Sequence, residues 1–159
     1  MAGEHLLVVD DEEQIRAVFK EYFSGLGYEI VTARSGREAV EKCITDRFDC
    51  IICDHLMPEM DGLAFLQELR SRDKETPFLM MTGYPSIESA IEAIRQGAYD
   101  YITKPVNLED VQIKLERIMH VKNVEKTLKK TSGLLWAVII SVPLWLVLGI
   151  ILGIVWRQF

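Results

Sequence analysis

Residues 78–105 read FLMMTGYPSIESAIEAIRQGAYDYITKP: an apolar run, an amphipathic helix pattern and a second apolar run in series. Phe78–Met81 is near-continuously hydrophobic rather than alternating, as parallel strands covered on both faces are. Ser86 is placed to cap a helix carrying Ile87, Ala90, Ile91 and Ile94, and Gly97 to stop it. Tyr101–Thr103 then forms the next strand. Two strands so joined require a parallel pair with a helical crossover.

The same beat runs back to the start of the chain. Leu6–Val9, Ile30–Thr32 and Cys50–Cys53 are further apolar runs. Ile15, Val18, Phe19 and Tyr22 form a stripe ended by Gly25 and Gly27. Ser35-x-x-Glu38 is a capping box ahead of Ala39, Val40 and Cys43, and Asp61 caps a helix carrying Leu63, Leu66 and Leu69. Asn107 starts a last helix with Leu108, Val111, Leu115 and Ile118. The sum is (βα)5, a doubly wound parallel α/β sheet. No proline or glycine falls between Leu108 and Ser132, so the last helix is long. Val121, Val124 and Leu128 resume its apolar stripe, which suits either a short coiled coil or a plain stalk.

The chain has 159 residues, of which 24 are acidic and 18 basic. Arg157 alone among the charged residues follows Lys130, so the part before it carries 17 basic against 24 acidic residues, a net −7. That balance argues against non-specific nucleic-acid binding, which neutralises phosphates with Lys and Arg. The opening MAGEHLLVVDDEE has an apolar run of four residues followed by acids, which is no signal-peptide pattern. Cys43, Cys50 and Cys53 fit a reducing compartment. Cys50-x-x-Cys53 lies in a strand, where residues three apart face opposite ways, so the pair reads as core rather than as half a metal site.

Open α/β sheets bind ligands beyond the carboxyl ends of their strands. Asp10 and Asp11 end the first strand, Asp54 the third and Thr82 the fourth, while Lys104 follows the fifth. Three convergent carboxylates repel one another and call for a cation. Mg²⁺ suits such hard oxygen ligands. A carboxylate can also act as a nucleophile and form an acyl phosphate. Asp54 is the candidate, with Lys104 and Thr82 to meet the oxygens of the transferred group.

On LLVVDDE, CDHLMPEMDG, MTGYPSIESAIEAIRQGAYDYITKP and the helix after Pro105, the chain from about Glu4 to Met119 resembles the receiver domains of two-component response regulators. The resemblance implies a flavodoxin-like sheet of order 2-1-3-4-5. It implies that Asp54 accepts phosphate from a histidine kinase or phosphotransfer protein, so that the chain is a phosphoacceptor rather than a conventional enzyme. Asp10, Asp11, Asp54 and the backbone carbonyl of Leu56 would hold Mg²⁺, and Thr82 and Tyr101 would form the switch. The Lys104–Pro105 bond would be cis. The stretch from Met80 to Pro105 is similar to receivers of the nitrogen-regulator type. Leu56 and Tyr84 are bulky and flank the site, which suits slow self-hydrolysis or ordinary loop packing. His55 reads as a surface-loop residue.

Residues 134–156, LLWAVIISVPLWLVLGIILGIVW, contain no charge, and a helix of about 20 such residues crosses a bilayer. Trp136 and Trp156 would stand roughly 30 Å apart in a helix, one at each interface. Lys114, Arg117, Lys122, Lys126, Lys129 and Lys130 precede the run, either as an inside-positive flank touching anionic lipid or as a solvated face. The expected organisation is a receiver over 1–121, a basic linker over 122–133, a single transmembrane helix over 134–156 and a tail over 157–159. The receiver would sit in the cytoplasm, on the bacterial inner membrane. Gly149 and Gly153 give a small-residue contact for a homodimer that would also use the last helix. The expected function is a membrane-anchored receiver that signals by phosphorylation-dependent protein contact, without nucleic acid. A constitutive scaffold or a phosphate sink is the alternative.

Overall fold

A computed structural model describes residues 3–124. Five strands, β1 (His5–Val9), β2 (Glu29–Ala33), β3 (Cys50–Asp54), β4 (Phe78–Thr82) and β5 (Asp100–Thr103), alternate with helices. These are α1 (Glu13–Gly25), α2 (Gly36–Thr45), α3 (Gly62–Arg72), α4 (Ile87–Arg95) and α5, which occupies residues 108–124. The sheet has the order β2-β1-β3-β4-β5, and every neighbouring pair is parallel. Chain order reverses between β1 and β3, so their carboxyl ends open the crevice where such sheets bind ligands.

Burial explains why the strands read as solid apolar runs. All five positions of β3 and of β4 are buried, since helices cover both faces. Leu7, Val9, Ile51, Cys53, Phe78 and Met80 pack with Ala39, Phe65, Leu66, Leu69 and Ala93 on one face. Their neighbours Leu6, Val8, Ile52 and Leu79 point to the other face. Phe19 and Phe23 of α1 and Val111, Leu115 and Ile118 of α5 are buried too. Each such large side chain contributes about 1.5–3 kcal/mol. Cys50 and Cys53 form no disulfide, and they are buried on opposite faces, as a core pair should be.

The helix ends follow the predicted caps with one change. Asp61 Oδ1 accepts from the Ala64 N–H at 2.7 Å, and Asn107 Oδ1 from the Glu109 N–H at 2.9 Å. Ser35 Oγ accepts from the Glu38 N–H, but Glu38 returns its carboxylate to the N–H of Arg34 rather than of Ser35. The reciprocal box is instead found at α4, between Ser86 and Ser89. Gly97 ends α4 with φ +99°, a conformation that favours glycine.

Two apolar stripes face other than expected. In α1, Val18 is exposed and Phe23 takes its place in the core. In α4, Ile87, Ile91 and Ile94 are 76%, 46% and 48% exposed. Ala93 is the buried residue of that helix, and Ser89 and Ala90 are half-buried. The small residues of α4 let it lie close on the sheet, which turns its isoleucines to solvent.

The chain divides into two units, Met1–Ile118 and Met119–Phe159, so the first ends three residues before the predicted boundary at 121. No helix among the described residues is long and apolar enough to cross a membrane. The predicted span 134–156, the tail 157–159, the Gly149/Gly153 contact and most of the 122–133 linker lie outside the described residues.

Candidate functional site

The strand ends bring the five predicted polar residues into one crevice. Asp10 follows β1 and is fully buried, Asp54 closes β3 at 6% exposure, and Thr82 closes β4, also buried. Asp11 is exposed beside them. Carboxylate oxygens from Asp10, Asp11 and Asp54 all lie within 4.8 Å of one another. Lys104 reaches over from the end of β5 and bridges two of the acids. Its Nζ lies 2.9 Å from Asp10 Oδ2 and 3.2 Å from Asp54 Oδ2.

Each acid is also held by the main chain. Asp10 Oδ1 accepts from the Glu12 N–H at 2.9 Å, and Asp54 Oδ1 from the His55 N–H at 3.0 Å. Burial pushes the Asp54 carboxyl above the ordinary carboxylate range. Lys104 opposes that rise and the charge of Asp10 adds to it. Burial alone would lower the Lys104 ammonium, yet its hydrogen bond to Asp10 and the charges of Asp10 and Asp54 keep it above its usual value. The site thus holds more negative charge than one ammonium offsets.

That imbalance fits a divalent cation. An octahedral Mg²⁺ at 2.0–2.1 Å sets its oxygen ligands about 3–4 Å apart, so the three carboxylates need close only slightly. Leu56, whose carbonyl was the expected fourth ligand, lies in the β3–α3 loop with its side chain 52% exposed.

The loop is gripped from below. The Gly62 N–H donates to the His55 carbonyl at 2.8 Å. A Cβ at Gly62 would stand 2.3 Å from the Asp54 carbonyl oxygen, closer than atoms can approach. Glycine here lets α3 start directly under the phosphoacceptor candidate, a requirement that sequence reasoning missed.

The predicted switch residues lie at the edge of the crevice. The Thr82 carbonyl accepts from the Lys104 N–H at 2.7 Å, and Thr82 Oγ1 accepts from the Tyr84 N–H at 3.2 Å. Tyr101 is half-buried, with its hydroxyl 2.9 Å from Ser89 Oγ. Ser89 therefore joins the cap of α4 to the predicted switch aromatic, a role its sequence did not advertise. Tyr84 is 79% exposed, so neither it nor Leu56 is ordinary loop packing. His55 is half-exposed in its loop. The Lys104–Pro105 peptide is cis. A cavity of about 310 Å³ between α2 and α3, lined by Val40, Phe48, Phe65 and Leu69, contains none of these residues.

Residues 6–116 match the response regulator receiver domain family. The transcriptional regulatory protein ZraR of Escherichia coli K12 is 40% identical over 114 residues, covering 72% of this chain and 26% of that protein. The chain spans about a quarter of the length of the Escherichia coli regulators AtoC and ZraR that it matches. The chemotaxis protein CheY4 of Vibrio cholerae superposes with a TM-score of 0.70 at 39% identity, covering 74% of this chain and 99% of that one. The beryllofluoride-activated NtrC4 receiver domain dimer superposes at 0.68 with 32% identity, covering 72% of this chain and 94% of that one.

Proposed function

This chain belongs to the response regulator receiver domain family, and from that premise we propose that it is a membrane-attached phosphorylation switch whose output is protein–protein contact. Asp54 accepts a phosphoryl group from the phosphohistidine of a histidine kinase or phosphotransfer protein. A carboxylate oxygen forms the new O–P bond as the P–N bond breaks, and the departing imidazole takes up a proton. Asp10, Asp11 and Asp54, with the Leu56 carbonyl, would hold a Mg²⁺, whose charge would offset that of the transferred group. Lys104 exchanges part of its pairing with Asp54 for a phosphoryl oxygen, and the Thr82 hydroxyl donates to another.

The observation that carries this reading is the bridge from Lys104 to Asp10 and Asp54 beside three carboxylates within 4.8 Å. When Thr82 turns towards the phosphoryl group, Tyr101 leaves Ser89 and α4 shifts with it. The exposed Ile87, Ile91 and Ile94 make that helix the contact surface, and a second copy meeting there and along α5 is one partner it suits. Exposed Leu56 and Tyr84 flank the site without a group able to orient water, which suits slow loss of phosphate.

The uncharged run 134–156 supports attachment to the cytoplasmic face of the bacterial inner membrane, as a single-pass anchor whose Gly149 and Gly153 pair in a homodimer. The net −7 of residues 1–133 favours a protein partner over nucleic acid. The test is to expose the chain to a small acyl-phosphate donor with Mg²⁺, follow the phosphoryl mass increment and its decay, and recover it with membranes. Phosphorylation in the Asp54→Asn variant, or extraction of the chain by alkaline washing, would overturn the corresponding part. A chain that takes no phosphoryl group would be a constitutive scaffold, and one whose contacts ignore phosphorylation a phosphate sink.

A further inference from the structure

Arg16 stands on α1, half-buried behind the acidic corner. Its Nη1 donates to the main-chain carbonyl of Asp10 at 2.6 Å and to that of Asp11 at 2.9 Å. It enters no ion pair among the described residues, so its hydrogen bonding goes to peptide oxygens rather than to a carboxylate. One donor shared by two successive carbonyls fixes the planes of both peptides, and with them the directions in which the two side chains leave the backbone.

The two aspartates depend on this grip unequally. The Asp10 carboxylate is also held by the Glu12 N–H and by Lys104. The Asp11 carboxylate is exposed and takes no hydrogen bond or ion pair among the described residues. Its position is set through its own backbone, which Arg16 holds from the carbonyl side while the Glu12 N–H bond to Asp10 Oδ1 and the Asp10 N–H bond to the Ala33 carbonyl hold it from the amide side.

We propose that Arg16 is a positioning residue for the metal site, holding the Asp10–Asp11 main chain so that the Asp11 carboxylate stays aimed at the cation. The proposal rests on the reading of Asp10, Asp11 and Asp54 as Mg²⁺ ligands. Charge and position make opposite predictions for Arg16. As a nearby positive charge it repels Mg²⁺, so neutralising it should tighten binding. As a clamp it preorganises the ligands, and loss of a group that orients metal ligands typically weakens affinity 10–100-fold.

The experiment is calorimetric titration of the full chain with Mg²⁺, comparing wild type with Arg16→Met and Arg16→Lys, alone and combined with Asp11→Ala. Arg16→Met keeps the apolar stem and removes the donors, and is expected to weaken Mg²⁺ binding about 10-fold. Arg16→Lys retains a cationic donor and should recover part of that loss. In the Asp11→Ala background the Arg16→Met effect should largely vanish, since its target is gone. Unchanged or tighter binding by Arg16→Met, or the same loss with and without Asp11, would overturn the proposal while leaving the metal site standing. Absence of Mg²⁺ binding by wild type would overturn the metal-site reading itself, and this inference with it. Should Arg16→Met fail to fold, Arg16→Lys carries the test: weakened Mg²⁺ binding by a folded Arg16→Lys supports the proposal, and wild-type affinity there overturns it.

Discussion

Replacing Lys104 by methionine strips the acidic crevice of its ammonium while keeping most of the side chain's apolar stem. The Lys104 side chain is 17% exposed, and the carboxylates it bridges, Asp10 and Asp54, are 0% and 8% exposed. Removing one partner of a buried ion pair costs about 3–5 kcal/mol, because the other charge is left buried and uncompensated. Here Asp10 keeps the Glu12 N–H and Asp54 keeps the His55 N–H, which places the expected loss at the lower end, about 3 kcal/mol. For a domain of this size each kcal/mol moves the unfolding midpoint by about 4 °C, so the Lys104→Met variant should melt about 12 °C below wild type. Thermal melts at pH 7 in EDTA measure this directly. Added Mg²⁺ supplies charge to the same carboxylates, so the gap should narrow as the metal is raised. Equal midpoints for the two proteins in EDTA, or a gap indifferent to Mg²⁺, would refute the electrostatic account of the site.

Asp54→Asn should stabilise the protein at neutral pH. Burial raises the Asp54 carboxyl in the native state, so the native state binds its proton more tightly than the unfolded chain does. Wild-type stability therefore falls as pH rises from the unfolded value of about 3.9 through the raised native one. The advantage of the variant in urea titrations should be absent below that window and fully present above it. Gly62→Ala drives a Cβ to 2.3 Å from the Asp54 carbonyl oxygen, and should cost at least about 2 kcal/mol and abolish phosphorylation of what remains folded. Tyr101→Phe removes the bond to Ser89 and leaves the α4 cap intact. Loss of about 1 kcal/mol from the resting conformer should speed labelling by a small phosphodonor about 5-fold. Ile91→Ser, at 46% exposure, should change stability by no more than about 0.5 kcal/mol yet weaken capture of the phosphorylation-dependent partner.

How far the chain could be read depended on which physical signal each feature leaves in sequence. CIICD announces a strand because all five of its positions are buried, and nothing polar interrupts the run until the site begins. Asp10, Asp54, Thr82 and Lys104 were legible for the same reason, since a parallel sheet delivers every strand end to one edge. The α4 stripe misled because hydrophobicity marks the greasy face of a helix, whereas Ser89, Ala90 and Ala93 are small enough to face the sheet. Val18 and Phe23 exchanged places on the same ground: two overlapping stripes fit α1, and burial of the larger ring decides between them. Glu38, Gly62 and Arg16 act on main-chain groups of particular loops. Composition and spacing carry no trace of such contacts, because they exist only once the loop has its shape.

The acceptor of the phosphoryl group decides whether Asp54 is the functional carboxylate. Trapping the phosphorylated chain by borohydride reduction and mapping the modified peptide by mass spectrometry locates it. The modification should sit at residue 54, require Mg²⁺, disappear in Asp54→Asn and be strongly slowed in Lys104→Met. Modification at Asp10 or Asp11, or unchanged labelling in EDTA, would contradict that role of Asp54.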